Sequence, residues 1–230
     1  VTLFRVDNPH TKPVEFWEWL IAEVARDHPE VIWLSEAFTR PAMMHTLAKV
    51  GFQQSYTYYA WRNTAGELRD YVTELATETA HYMRPSFWPT THDILTPYMQ
   101  HGGATAHLVR SALAATLVPT YGIYTGFEHV EHLPRPGAEE HLDNEKYEFK
   151  DRRWGEHVPG RADLTGWLTM LNRIRREHPS LRWLRNVTFH DAEDENILVF
   201  SKHGGGAGDG SEADTVLVVA NLDAHTVRES

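Results

Sequence analysis

In Val1-Thr2-Leu3-Phe4-Arg5-Val6-Asp7-Asn8-Pro9-His10-Thr11-Lys12-Pro13 an apolar run ends in an aspartate, and a proline then opens the next segment. Val1 to Val6 predicts a strand. From Pro13 onward Phe16, Leu20, Ile21 and Val24 recur at three and four residues, the period of a helix with one buried face. A strand followed by a helix of this length is one unit of a parallel sheet, because a parallel crossover needs a dozen or more residues.

Further units follow. Val31 to Leu34 predicts a strand and Ala42 to Lys49 a helix. Phe52 to Tyr56 predicts a strand and Thr64 to Tyr82 a helix that ends before Pro85. Ser86 to Trp88 is the next strand and Ala104 to Leu117 its helix. Pro119 to Tyr124 reads as a buried strand, and Leu164 to Glu177 as an amphipathic helix stopped by Pro179. Five strand–helix pairs fall short of the eight of a (β/α)8 barrel, so the expected fold is α/β, a partial TIM barrel of about strands 4 to 8. The loop from Gly126 to Arg161 is long, charged and aromatic, and long loops in compact domains are commonly functional. After Pro179 the pattern turns to β-type alternation at Val187 to His190, Ile197 to Lys202 and Thr215 to Leu222. The expected division is a barrel part over 1–180 and the beginning of an antiparallel β-sandwich over 181–230. Gly204 to Gly210 reads as a hairpin loop, because it lacks the strand-to-helix setting and the Lys-Ser/Thr ending of a phosphate loop.

Composition narrows the function. The 230 residues are 41% hydrophobic and 23% charged, as in ordinary globular domains. With 32 acidic against 22 basic side chains the net charge is −10, which disfavours nucleic acid as a partner, since phosphate-backbone affinity comes from clustered Lys and Arg. The least charged stretch, Ser111 to Phe127, is broken by Pro119, Gly122 and Gly126, so no membrane span is expected. The absence of cysteine excludes disulfides and thiolate chemistry, and fits a reducing, cytoplasmic setting.

Three segments each put a carboxylate just after an expected strand: Phe4-Arg5-Val6-Asp7, Trp33-Leu34-Ser35-Glu36-Ala37 and Thr90-Thr91-His92-Asp93. The C-terminal ends of barrel strands share one mouth, so Asp7, Glu36 and Asp93 are expected to converge there. Retaining glycoside chemistry needs such a group: one ionised carboxylate as nucleophile and one protonated carboxyl as acid, about 5 to 5.5 Å apart. A single acidic residue at a strand–helix junction serves as readily as a cap or a solvated side chain. Arg5 strengthens the catalytic reading, because the two-residue strand period turns it to the same face as Asp7.

Phe-Arg-Val-Asp at 4–7, Ser-Glu-Ala at 35–37 and His-Asp at 92–93 resemble the strand-end signatures of the α-amylase superfamily. Within it, the run Val6 to Pro13, then Phe16-Trp17-Glu18-Trp19-Leu20-Ile21 and Asn144-Glu145-Lys146-Tyr147-Glu148, resembles the bacterial maltose-1-phosphate maltosyltransferases. That resemblance implies Asp7 as nucleophile, Glu36 as general acid/base and Asp93 as transition-state stabiliser. It implies donor binding by Asn8, Lys146 and Tyr147, with Arg5 and His92 completing the innermost subsite. It further implies α-maltose 1-phosphate and α-1,4-glucan as substrates, no metal or cofactor, and a homodimeric parent enzyme. The cluster Glu128-His129-Val130-Glu131-His132 has no helical His-Glu-x-x-His spacing and reads as solvated loop rather than metal site. Trp17, Trp19, Tyr58, Tyr59, Trp61 and Trp88 are expected in the core, not on substrate.

Overall fold

The structure is a computed structural model and describes residues 1–146, 149–156, 158–204 and 213–229. Five strands form one parallel sheet in chain order: β1 (Leu3–Asp7), β2 (Ile32–Glu36), β3 (Gln54–Tyr56), β4 (Pro85–Phe87) and β5 (Thr120–Tyr121). Between them run α1 (Val14–Asp27), α2 (Pro41–Lys49), α3 (Ala65–Thr77), α4 (Pro97–His101) and α5 (Gly103–Leu117), and α6 (Thr165–Glu177) follows β5. A three-stranded antiparallel sheet completes the described chain: β6 (Val187–His190), β7 (Ile197–Gly204) and β8 (Asp214–Asn221).

Most units lie where periodicity predicts them, but several ends differ. Strands β1 and β2 run through Asp7 and Glu36 themselves, so these carboxylates close the ladder rather than follow it. Helix α3 starts at a capping box, in which Thr64 Oγ1 accepts from the Glu67 N–H at 3.2 Å and Glu67 Oε2 from the Thr64 N–H at 3.1 Å. It ends at Thr77, not Tyr82. There the Thr79 N–H reaches back five residues to the Glu74 carbonyl, and Tyr82 and Met83 bond to Thr79 in a turn that delivers Pro85 to β4. Strand β5 is shorter than expected, because Pro119 offers no N–H and the ladder ends at the bond from the Gly122 N–H to the Phe87 carbonyl, 3.0 Å. Helix α4, opened by Pro97, is too short for its period to show in the sequence.

One core of Tyr59, Leu68, Val72, Phe87, Leu113 and Leu117 extends without a break into Leu198 and Phe200 of β7, so the second sheet packs on the first. A separate cluster around Trp17, Ile21, Trp33, Leu47 and Phe52 seats α1 and α2 beside β2. Trp17 and Tyr59 are buried as expected, whereas Trp19 is exposed on the outer face of α1. On the antiparallel sheet Leu198 and Phe200 point inward, while Leu217 and Val219 of β8 stand exposed, following the two-residue period.

Candidate active site

The in-register pairing of β1 with β2 sets Asp7 directly opposite Glu36 at the C-terminal end of the sheet. Strands in a sheet lie about 4.8 Å apart, so the pairing alone brings the two carboxylates within range of one small group. Arg5, two residues earlier on the same face, bridges them, with Nη1 at 3.5 Å from Asp7 Oδ2 and Nη2 at 3.5 Å from Glu36 Oε1. The two acids differ in environment. Asp7 is exposed, whereas Glu36 is buried. Burial pushes the Glu36 carboxyl above its ordinary value. The Arg5 charge and the Asn8 N–H oppose that rise, and the charges of Asp7 and Asp93 add to it. Burial thus favours the protonated form of one carboxyl beside a second acid that stands exposed, an asymmetry of the kind acid and nucleophile pairs use.

Asn8 turns the chain between strand and helix. Its backbone is left-handed, φ 46°, a conformation Asn tolerates better than most side chains. Its N–H bonds to the Glu36 carbonyl at 2.9 Å and to Glu36 Oε2 at 3.3 Å, and its side-chain Nδ2 donates to Asp7 Oδ1 at 2.8 Å. Buried Trp17 secures the turn from α1 by donating Nε1 to the Pro9 carbonyl at 2.8 Å. Beneath, Tyr56 stacks on Trp88 at 4.9 Å and 7°, and the Arg5 guanidinium lies 5.8 Å from the Tyr56 ring centre.

Asp93 lies in a tight turn beyond β4, closed by the Thr91 N–H to the Ile94 carbonyl at 3.1 Å. Its Oδ2 is 2.9 Å from His92 Nε2, and its Oδ1 pairs with Lys146 Nζ. The bond to Asp93 holds the Lys146 ammonium above its ordinary pKa, and burial holds His92 below its own. Asp7, Asn8, Glu36, His92, Asp93 and Lys146 together line an open cleft of about 670 Å³. Tyr147, the remaining expected donor residue, lies outside the described residues.

Glu145 also lines this cleft, and motif reasoning does not single it out although it stands beside Lys146 in the quoted run. Its backbone is left-handed, φ 52°, and Arg152 Nη1 holds its carboxylate at 2.8 Å. Arg152 is itself buried and grips Glu131 through Nε at 3.0 Å and Nη2 at 3.1 Å. Lys150 adds contacts to Glu131 at 3.3 Å and Asp143 at 2.6 Å. These pairs fasten the long loop where it reaches the cleft, and they account for Glu131 of the Glu128–His132 cluster. Among the described residues no group of three or more His, Cys, Asp or Glu is arranged to hold a metal ion.

The fold is that of the α-amylase-type barrel proteins. An Anoxybacillus α-amylase matches 96% of this chain and 48% of its own at a TM-score of 0.72 and 15% identity, a likeness of fold alone. Sequence goes further. The alpha-1,4-glucan:maltose-1-phosphate maltosyltransferase of Arcanobacterium haemolyticum is 54% identical over 100% of this chain and 33% of its own length. Maltosyltransferase 2 of the same name from Streptomyces coelicolor is 54% identical over 100% of this chain and 34% of its own. Residues 189–230 match the family described as GLGE, C-terminal. This chain is thus a relative of the alpha-1,4-glucan:maltose-1-phosphate maltosyltransferases along its whole length, and it spans about a third of the length of the curated relatives it matches.

Proposed function

We propose that this chain carries the catalytic carboxylates of a retaining maltosyltransferase that moves maltosyl units from α-maltose 1-phosphate to the non-reducing ends of α-1,4-glucans. The observation that carries the reading is the pairing of Asp7 with Glu36, bridged by Arg5. Asp7 attacks the anomeric carbon, the bond to the phosphate oxygen breaks, and phosphate leaves with the electron pair as protonated Glu36 donates to it. A β-maltosyl ester on Asp7 results. Glu36, now ionised, takes the proton of the acceptor's 4-hydroxyl, whose oxygen attacks the same carbon and expels Asp7, so two inversions give net retention. Asp93 binds sugar hydroxyls as charge develops at the ring, oriented by His92 and Lys146. Arg5 and Asn8 hold Asp7, and Asn8 and Lys146 face the donor's phosphate end; the family resemblance assigns Tyr147 to donor binding as well. No metal or cofactor takes part.

On this reading residues 1–180 are barrel strands of about 4 to 8, and 181–230 begin a β-sandwich. The exposed Leu217 and Val219 of β8 support the latter, because a second sheet would cover them. The parent acts as a cytoplasmic homodimer. The reading is tested by supplying α-maltose 1-phosphate and a short α-1,4-glucan to a protein that adds the remaining two thirds of its relatives' length. Phosphate release matched by chains longer by two glucoses is expected. Release of free maltose without elongation would make it a hydrolase instead.

A further inference from the structure

At the opposite end of the parallel sheet from the carboxylates, a cavity of about 640 Å³ opens between the first residues of β4 and β5 and the segment that leads to β6. Arg84, Pro85, Thr120, Arg182, Trp183 and Arg185 are among the residues that line its wall. Its charge runs against that of the molecule. In a chain of net charge −10, three arginines line one pocket, and no aspartate or glutamate lines it. Among the described residues none of the three is ion-paired, because the arginine ion pairs engage other guanidiniums. Arg185 instead donates to His81 Nδ1 at 3.1 Å, and Arg182 to the Arg176 carbonyl at 3.0 Å. Trp183, which also lines the cavity, is 64% exposed.

The frame of the cavity is fixed by two basic side chains drawn from separate elements. Lys202 of β7, fully buried, donates Nζ to the Leu117 carbonyl at 3.1 Å and to the carbonyl of Trp183. Arg175 of α6 donates to the Val118 carbonyl at 3.3 Å and the Pro119 carbonyl at 2.5 Å. These bonds satisfy the carbonyls at the end of α5, which leaves the three wall arginines free of that task. They also hold the backbone of Trp183 and the approach to β5 in place before any ligand arrives.

We propose that this cavity binds a phosphorylated sugar, at a site separate from the carboxylate cleft. Guanidinium groups match phosphate oxygens in pairs, and an exposed indole offers a flat apolar face to a sugar ring. The volume lies within the range of small-ligand pockets and admits a monosaccharide phosphate. The ligand acts away from the reacting carbon, and its affinity does not depend on the catalytic roles proposed above.

Titration calorimetry with glucose 6-phosphate, maltose and inorganic phosphate tests the proposal. The proteins compared are the unaltered chain, Trp183→Ala, the double variant Arg84→Ala/Arg185→Ala, and Lys146→Ala as a change in the carboxylate cleft. The substituted wall side chains are exposed, and unchanged thermal melting verifies that the variants fold. Glucose 6-phosphate is expected to bind the unaltered chain and Lys146→Ala alike, and at least about tenfold more weakly to the other two variants. Maltose and inorganic phosphate should each bind at least about tenfold more weakly than glucose 6-phosphate. No binding, binding indifferent to the wall variants, or binding lost in Lys146→Ala would overturn the proposal. Equal affinity for maltose would remove the phosphate from it, and equal affinity for inorganic phosphate would remove the sugar.

Discussion

Arg5 couples the two acids of the cleft, because its one guanidinium pairs with both the exposed and the buried carboxylate. Its charge opposes the rise that burial imposes on Glu36. With Arg5→Ala that opposition is lost, so Glu36 keeps its proton to higher pH. A reaction that needs protonated Glu36 declines as pH rises through its pKa, and the descending limb of the kcat/KM profile should therefore move to higher pH. The maximum of the profile should fall about 10- to 150-fold, the scale of losing an ion-pair contact worth about 1.5–3 kcal/mol at Asp7. A limb that stays in place would mean that Arg5 does not act on Glu36. The three carboxylates and Arg5 were legible in the sequence because strand period and strand-end position are local signals. The contact of Lys146 with Asp93 joins residues far apart along the chain, and only the resemblance pointed to Lys146.

At the scale of elements, the strand–helix units were legible because apolar spacing reports which face is buried. Their lengths were not, because partners in space set them: Asp7 joins β1 through its register with Glu36, and α3 stops where Thr79 reaches back to Glu74. Gly122 shows how tightly the elements meet. A Cβ there would lie 2.2 Å from the Trp88 ring, the ring that stacks on Tyr56 beneath the carboxylates. Gly122→Ala should therefore destabilise the chain by about 1–3 kcal/mol through overpacking. Thermal unfolding measures this, and an unchanged melting temperature would mean that Trp88 yields at no cost.

Across the whole molecule, the two sheets share one core and are pinned by Lys202, whose ammonium burial pushes down from its usual 10.5 to about 7. Between pH 7 and 10.5 the unfolded chain holds a proton at this lysine that the folded chain has released, so this group's contribution to stability rises with pH across that window. Lys202→Met removes the titration at similar volume. The melting temperature of the unaltered chain, less that of Lys202→Met, should increase from about pH 7 to about pH 9.5, a range inside that window. A constant difference would mean that Lys202 stays charged in the fold.

Trapping the covalent intermediate decides whether Asp7 attacks while Glu36 serves as acid and base. The material is the longer protein that supplies the rest of its relatives' length, treated with a 2-fluoro maltosyl fluoride that slows the second step and read by mass spectrometry of its peptides. A 2-fluoro maltosyl adduct is expected on the peptide carrying Asp7, and none in Asp7→Ala. An adduct on any other residue, or one that persists in Asp7→Ala, would contradict the assignment of Asp7 as nucleophile.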